Sequence, residues 1–257
     1  VLPYLKNVTF DPIACPDGMQ QTVGALLYEG LFTLDGAFAP QNVLCSRYEH
    51  NDDCTSYTFY LREGVCFSDG SALTANDVLA AYRRAQMSER YRARFASVVS
   101  MRVVNGALTV ALSQGNSAFP ALLDIPIVKS GSEKDTVPLG TGPYLFVTDG
   151  SGACLKRSVD WWQDARLPLE RIELREVKDD DTASYLFSSR EVHLLAAGQV
   201  GEHDLSRLQY AARAALRRRS ARRHRRRHRP RHRGRRLPRR SRRGRALPAL
   251  AESKPLS

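Results

Sequence analysis

An arginine run divides this chain into two parts of opposite charge, and only one of them can build a hydrophobic core. From Arg217 to Arg245 the sequence reads RRRSARRHRRRHRPRHRGRRLPRRSRRGR. Residues 211–257 hold 20 of the 39 lysines and arginines but a single acid, which leaves 19 bases and 26 acids in the remainder. A segment so poor in apolar residues cannot repay the entropy lost on folding. We therefore predict a folded body over residues 1–210 and a disordered tail over residues 211–257.

The composition of the tail allows two interpretations. It contains no Val, Ile, Thr, Asp, Asn or Gln, and no Phe, Trp or Tyr follows Tyr210. Arg, Ala, Pro, Gly, His and Ser are what GC-rich codons yield out of frame, so a frameshift near residues 197–215 is one hypothesis. The alternative is a genuine solvated tail that binds polyanions such as nucleic acids non-specifically, with an affinity that falls as salt rises.

Within the body, residues 57–106 carry the clearest local signals. Tyr57–Leu61 is aromatic and β-prone, which is typical of a strand. Thr74, with an aspartate three residues later, resembles a capping box and begins a helix that runs to about Met87. Asn105-Gly106 lies between two β-rich runs and predicts a two-residue hairpin turn.

Hydrophobic periodicity and turn residues predict the remaining elements. The predicted helices cover residues 19–32, 118–125 and 182–188, the last capped by Asp181. The predicted strands cover residues 5–10, 144–147, 153–157, 172–177 and 192–196. Strands and helices mix without regular alternation, so we predict an α/β or mixed α+β fold.

The sequence lacks the motifs of catalysis, metal binding and cofactor binding. No GxSxG, HExxH or GxxxxGK[ST] pattern occurs, so we expect no enzyme, no catalytic residue and no cofactor. The five cysteines form no CxxC pair, which argues against a zinc site. Buried thiols are the default interpretation, and one disulfide from Cys45 to Cys54 or Cys66 is the alternative in an exported protein. The acidic run Asp179–Asp181 is expected to begin a helix rather than to hold a cation.

Four sequence blocks in a fixed order resemble the peptide-type solute-binding proteins (family 5) of ABC importers. The blocks are LLYEGLFTLDGAFAP (26–40), YTFYLREGVCFSDGSALTANDV (57–78), LGTGPYLF (139–146) and DWWQDARLPLERIELREVKDDDTASYLFSSREVHLL (160–195). Together they carry the resemblance from about Leu2 to Ala197. The last block departs from the family's GEVD-like helix end, which reads Arg190-Glu191-Val192-His193 here.

The resemblance implies a periplasmic-binding-protein-like first lobe of a receptor that closes on its solute. Residues 31–135 are expected to form an inserted subdomain, and the second lobe is expected to be missing, which would impair binding. The implied partners are a peptide or other small solute and an ABC permease in the membrane. We expect a monomer, exported to the periplasm or the cell surface. No signal segment is visible at Val1, and an upstream lipid anchor stays an open alternative.

The resemblance also implies where the cleft and hinge lie, near the GTGPY loop and the loop after the first strand. The candidate ligand-binding residues are Phe10, Asp11, Gly140, Thr141, Gly142, Tyr144, Trp161 and Trp162. For the glycines, shaping the loop is the alternative role. For the paired tryptophans, packing is the alternative to stacking on a ligand.

Overall fold

The structure, a computed structural model, describes residues 1–163 and 165–195 and contains ten strands and three α-helices in these ranges. The strands are β1 (Leu2–Leu5), β2 (Phe32–Leu34), β3 (Pro40–Asn42), β4 (Cys45–His50), β5 (Ser56–Leu61), β6 (Val98–Val104), β7 (Ala107–Leu112), β8 (Tyr144–Asp149), β9 (Gly152–Arg157) and β10 (Arg171–Val177). The helices are α1 (Gly18–Gly24), α2 (Ala75–Met87) and α3 (Asp180–Ser188). Short 3-10 turns cover Arg92–Phe95 and Phe119–Leu123. The mixed fold class is confirmed, and the Arg-rich tail lies outside the described residues.

Two four-stranded sheets organise these elements. The first has the order β1-β10-β9-β8, in which β1 runs parallel to β10 and the other neighbours are antiparallel. The second has the order β4-β5-β7-β6 and is antiparallel throughout. Every strand of the second sheet lies between β1 and β8 in the sequence. The second sheet falls within residues 31–135, and the inserted subdomain expected there stays a prediction.

Each sheet has its own hydrophobic core. The second sheet packs Phe59 and Leu108 against Tyr82 of α2, and all three side chains are fully buried. The first sheet packs Tyr4 and Leu155 around Phe10, in a second cluster. Burying one such side chain contributes roughly 1.5–3 kcal/mol. None of the described helices is both long enough and apolar enough to cross a bilayer.

The N-terminus of α2 confirms the predicted capping box. The Thr74 hydroxyl accepts from the Asp77 amide at 3.4 Å, and the Asp77 carboxylate accepts from the Thr74 amide at 3.0 Å. The second oxygen of Asp77 accepts from the Ser130 amide at 3.1 Å. One carboxylate therefore caps the helix and also fastens the loop that leads towards β8. The predicted apolar face of the helix is buried, namely Val78, Ala81, Tyr82 and Ala85.

The GTGPY loop packs directly on the backbone that follows α1. The Gly142 amide donates to the Leu27 carbonyl at 3.0 Å, and the Tyr144 amide donates to the Leu26 carbonyl at 3.1 Å. A Cβ atom on Gly142 would lie 2.5 Å from the Leu27 carbonyl carbon, and one on Gly140 would lie 2.2 Å from the Leu27 oxygen. Only glycine permits so close an approach of two backbones.

The first predicted strand and helix have wrong boundaries. The strand predicted over residues 5–10 is instead Leu2–Leu5, because pairing with β10 sets its register and Asn7 turns the chain with a φ of 66°. The helix predicted over residues 19–32 ends at Gly24. Beyond that point, the carbonyls of residues 26 and 27 are taken by amides of the GTGPY loop and cannot all serve a helix.

Three later predictions also need correction. The cap of α3 is Asp179, whose carboxylate accepts from the Thr182 amide at 2.8 Å, and not Asp181. The acidic run does begin a helix, as predicted. Residues 192–195 form no strand, because the chain reverses at Arg190 and Val192 donates to Leu186 of α3; Ala196 lies outside the described residues. Residues 119–123 form a 3-10 turn and not a longer helix.

Replacing Asp77 by alanine should lower the free energy of unfolding by about 2 kcal/mol, because both the cap and the acceptor for Ser130 are lost. Thr74→Ala removes the cap alone and should cost about 1 kcal/mol. Urea denaturation followed by circular dichroism measures both values. Asn76→Ala, exposed in the same turn, is the control. Equal losses for the two capping variants would contradict the second role of Asp77.

Gly142→Ala should destabilise the fold by about 3 kcal/mol or more, because the new methyl group collides with backbone that cannot move aside. Gly150→Ala is the matched control, since a Cβ atom there meets nothing within 4 Å. Thermal unfolding of the two variants provides the comparison. Equal melting temperatures for the two variants would rule out the close approach at Gly142.

Candidate functional site

The part-buried carboxylate of Glu29 gathers two of the predicted site residues. Its Oε2 atom accepts from the Thr141 hydroxyl at 3.1 Å and from the Trp162 indole N–H at 2.7 Å. Its Oε1 atom accepts from the side-chain amide of Gln163 at 3.3 Å. The segment after α1, the GTGPY loop and the loop after β9 therefore meet at one carboxylate.

The surroundings of this carboxylate set its charge. Burial raises the pKa of Glu29 above its ordinary value of 4.5, and hydrogen bonds from Trp162 and Thr141 oppose that shift without cancelling it. The Arg62 guanidinium carbon lies 4.9 Å from the centre of a Trp162 ring, in a cation–π contact. The indole N–H of Trp162 therefore binds an acidic side chain, and the face of its ring contacts a basic one.

Trp161 lies in the same cluster of side chains as Glu29 and Trp162. Its ring meets Trp162 edge-on, with 6.2 Å between the ring centres. Its indole nitrogen is buried and has no hydrogen-bond partner among the described residues, although it lies near enough to Glu29 to help lower the pKa of that carboxyl. Trp162 packs against the core of the second sheet. The geometry therefore favours packing for Trp162, and the role of Trp161 stays a prediction.

The remaining predicted residues are built into the fold. Asp11 is buried, forms an ion pair with Arg84 of α2 and accepts from the Ile13 amide at 3.2 Å. Phe10 packs on Phe146 with 5.3 Å between the ring centres. These contacts tie the loop after β1 to both cores.

Tyr144 and the two glycines also serve the scaffold. The Tyr144 side chain is buried, and its hydroxyl donates to the Leu169 carbonyl at 2.9 Å. Gly140 and Gly142 carry no side chain and allow the backbone approach to Leu27. Their effect on a solute would be indirect, through the position of Thr141 beside Glu29.

A shallow cavity of about 240 Å³ opens between α1, the loop after β1 and the turn Arg92–Phe95. The residues that line it include Phe10, Pro12, Arg90, Tyr91 and Arg94. A pocket that encloses a drug-sized ligand measures roughly 300–1,000 Å³. The volume here lies below that range.

The charge of this cavity is positive. Arg90 donates to the neutral side chain of Gln21 at 2.5 Å, while Arg94 forms an ion pair with Asp124. The two guanidinium carbons lie 5.3 Å and 5.0 Å from the centre of the Tyr91 ring. Burial raises the pKa of Tyr91, so its hydroxyl stays protonated at neutral pH. Two cations against one carboxylate favour an anionic group.

A second cavity, of about 730 Å³, lies beside the end of β5 and the turn between β6 and β7. Arg47 lines it but is already paired with Glu49 and stacked on the Tyr60 ring at 3.5 Å. None of the eight predicted site residues lines this cavity. Its size alone does not make it the better candidate.

Sequence reasoning missed Glu29 and the arginines beside Tyr91. Glu29 lies in the YEGL segment of the first sequence block. A single acidic residue among apolar neighbours was the signal there that could have pointed to a functional side chain. The run Arg90-Tyr91-Arg92-Ala93-Arg94 places an aromatic ring among bases. Without the structure, such a run is indistinguishable from a solvated helix end.

Comparison with known proteins gives consistent matches. The sequence profile of "Bacterial extracellular solute-binding proteins, family 5 Middle" matches residues 39–219. The glutathione-binding protein GsiB of Salmonella typhi is 31% identical over 198 residues, which cover 71% of this chain and 39% of GsiB. The chain thus spans well under half the length of this curated relative.

Solved structures agree on the fold. NikA from Brucella suis, in complex with Fe(III)-EDTA, matches with a TM-score of 0.63 and 21% identity over 82% of this chain and 46% of NikA. DppA from Helicobacter pylori, in complex with the peptide STSA, matches with a TM-score of 0.58 and 19% identity over 74% of this chain and 44% of DppA. The predicted periplasmic-binding-protein-like fold is confirmed.

The matched proteins are binding proteins and not enzymes, as the sequence motifs led us to expect. The profile match continues to residue 219, past Ala197, where the four-block resemblance ends. It covers more than half of the chain, and the fold agrees with it. This chain belongs to the bacterial extracellular solute-binding proteins of family 5.

Proposed function

We propose that this chain supplies one wall of an extracytoplasmic receptor for ABC import, and that the cavity beside Tyr91 takes a carboxylate of the solute. The observation that carries the proposal is the pair of arginines, Arg90 and Arg94, facing a single aspartate at that cavity. Guanidinium groups bind carboxylates through parallel N–H donors. The predicted cleft residue Phe10 lies in the same cavity.

The solutes named for the matched proteins support this chemical class. GsiB is named for glutathione, DppA was solved with a peptide, and NikA was solved with an EDTA chelate. All three ligands carry carboxylates. A small peptide or peptide-like acid is therefore the proposed solute, captured without chemical change and passed to an ABC permease.

The remaining parts of the proposal concern the protein as a whole. We propose that this wall binds its solute weakly by itself, because its cavity of about 240 Å³ is smaller than a pocket that encloses a drug-sized ligand. Export, a lipid anchor and a monomeric state are proposed with it. Polyanion binding through residues 211–257 stays a prediction from composition.

Titration with reduced glutathione or a tetrapeptide should shift the backbone amide resonances of residues 10, 11 and 90–94 before any others. Arg90→Ala should weaken this binding by about tenfold, because one charge-assisted contact to the carboxylate is lost. A fit of chemical-shift changes against solute concentration measures the affinity.

Arg92→Ala is the control for this titration, since Arg92 is exposed in the same turn and does not line the cavity. A tetrapeptide with an amidated C-terminus lacks the terminal carboxylate. Its affinity for the wild type should be no higher than the affinity of the free acid for Arg90→Ala. Equal affinities for the two arginine variants would overturn the proposed site.

We also propose that the hydrogen bonds to Glu29 hold the three segments of this wall together. This proposal predicts that the stability of the fold depends on pH. The folded chain holds the pKa of Glu29 above 4.5, so it binds that proton more tightly than the unfolded chain does. The resulting stability is fully present below the ordinary pKa and is lost as pH rises through the raised value. From pH 4 to pH 7 the wild type should therefore lose stability relative to Glu29→Gln.

Urea denaturation at several pH values gives the difference between wild type and variant. Glu89→Gln, which changes an exposed carboxylate just beyond α2, is the control and should leave the pH profile unchanged. Glu29→Ala should cost about 2 kcal/mol at pH 7, because the Trp162 N–H loses its acceptor. A wild type that gains stability relative to Glu29→Gln over this range would contradict the raised pKa.

A further inference from the structure

We propose that the cavity beside Tyr91 binds an α-amino acid end of the solute, in which one carbon carries both a carboxylate and an ammonium group. Arg90 and the Tyr91 hydroxyl hold the carboxylate, and Asp124 holds the ammonium. All three residues line the cavity. This assignment rests on the proposed function, because it keeps the carboxylate at Arg90 and adds a second charge beside it.

The Tyr91 hydroxyl is the group in this cavity that most directly calls for a ligand. Tyr91 is only 7% exposed, yet its hydroxyl has no hydrogen-bond partner within residues 1–163 and 165–195. A tyrosine hydroxyl usually finds a partner when its ring is buried. The hydroxyl keeps contact with solvent, so a ligand can reach it. A carboxylate, which only accepts, is a suitable partner for this O–H donor.

Arg90 supplies the positive charge for the same carboxylate. Its guanidinium carbon lies 5.3 Å from the centre of the Tyr91 ring. It donates to the Gln21 side chain at 2.5 Å and to the Cys15 carbonyl at 3.5 Å. Both acceptors are neutral, so they leave the charge of Arg90 for the solute. Because a carboxylate offers about four lone-pair sites, it can accept from Arg90 and Tyr91 at once.

Asp124 supplies the opposite charge in the same cavity. Its Oδ1 atom forms the ion pair with Arg94, and Arg94 also donates to the Leu122 carbonyl at 3.2 Å. These bonds hold the carboxylate in place, while the Asp124 side chain keeps 26% of its surface exposed. Its Oδ2 atom accepts no hydrogen bond from the part of the chain that the structure describes. An ammonium group, with three N–H donors, can bind there.

The size of the cavity suits one end of a solute. Its volume of about 240 Å³ lies below the roughly 300–1,000 Å³ that enclose a drug-sized ligand. An ordinary peptide carries its ammonium and its terminal carboxylate at opposite ends, so it cannot place both in one small cavity. Free amino acids and γ-glutamyl compounds carry both groups on one carbon. The proposed solute therefore belongs to this second group.

The test compares reduced glutathione with glutaryl-cysteinylglycine, the same molecule with hydrogen in place of its amino group. Each is titrated into the full chain, and the backbone amide resonances report binding. Glutathione should bind the wild type about tenfold more tightly, because the analogue lacks the ammonium contact to Asp124. The analogue carries one more net negative charge. General attraction to a basic cavity would therefore give the opposite order.

Two variants assign the contacts. Asp124→Asn should weaken glutathione by about tenfold and leave the affinity for the analogue no lower than before, because the analogue has no ammonium to lose. Tyr91→Phe should weaken both ligands by about tenfold, because both carry the carboxylate. Asp135→Asn is the control for Asp124→Asn, since Asp135 is exposed and does not line the cavity. Binding of the analogue to Asp124→Asn also shows that this variant is folded.

The outcomes separate this assignment from the proposed function. Equal binding of the two ligands to the wild type, with both weakened by Arg90→Ala, would overturn the amino acid end and leave the carboxylate site in place. Binding that Arg90→Ala leaves unchanged for both ligands would overturn the proposed function itself. A preference for glutathione that persists in Asp124→Asn would exclude Asp124 as the acceptor. The comparison in the wild type needs no variant, so it decides the question even if Asp124→Asn does not fold.

Discussion

Residues 26–30 form the seam on which the described structure depends. The carbonyls of Leu26 and Leu27 accept from the GTGPY loop, and the Glu29 carbonyl accepts from the Ile127 amide at 2.9 Å. Gly30 forms a bridge with Pro126, and the Glu29 side chain binds Thr141 and Trp162. The carbonyls of this segment and the Glu29 side chain are thus bound by partners far along the chain, while the amides of residues 26–28 donate locally to Val23 and Gly24. The segment therefore joins the GTGPY loop to the backbone that follows α1.

Two carboxylates, one buried and one part-buried, join distant segments by different chemistry. Asp11 is matched by the cation Arg84, which balances its charge inside the fold. Glu29 is matched by neutral donors, chiefly Trp162 and Thr141, so desolvation is incompletely offset and its pKa rises. A buried charge of this kind is weak support for stability, because desolvation consumes much of the gain. We infer that Glu29 selects one arrangement of its three segments, since an apolar residue there would leave the indole and hydroxyl donors unpaired.

Sequence reasoning succeeded where residues a few positions apart decide the structure. The capping box of α2 rests on Thr74 and Asp77, and the β6–β7 hairpin rests on Asn105-Gly106, so both followed from local chemistry. The helix predicted over residues 19–32 failed because distant amides capture its carbonyls, which no periodicity reveals. Glu29 was missed for the same reason. The residues that bind its carboxylate lie more than a hundred positions later.

Under the proposed function, the cavity beside Tyr91 would select an anion without holding it tightly. Its arginines are partly solvated. Asp124 partly neutralises Arg94, whereas Arg90 donates to the neutral side chain of Gln21 and keeps its charge. Charges in such surroundings contribute more to the selection and steering of an anion than to affinity. High affinity requires water to be excluded from the same contacts, which a shallow cavity of about 240 Å³ does not achieve. Under the proposed function, these arginines therefore set the sign of the recognised charge, and tight binding needs water to be excluded from the same contacts.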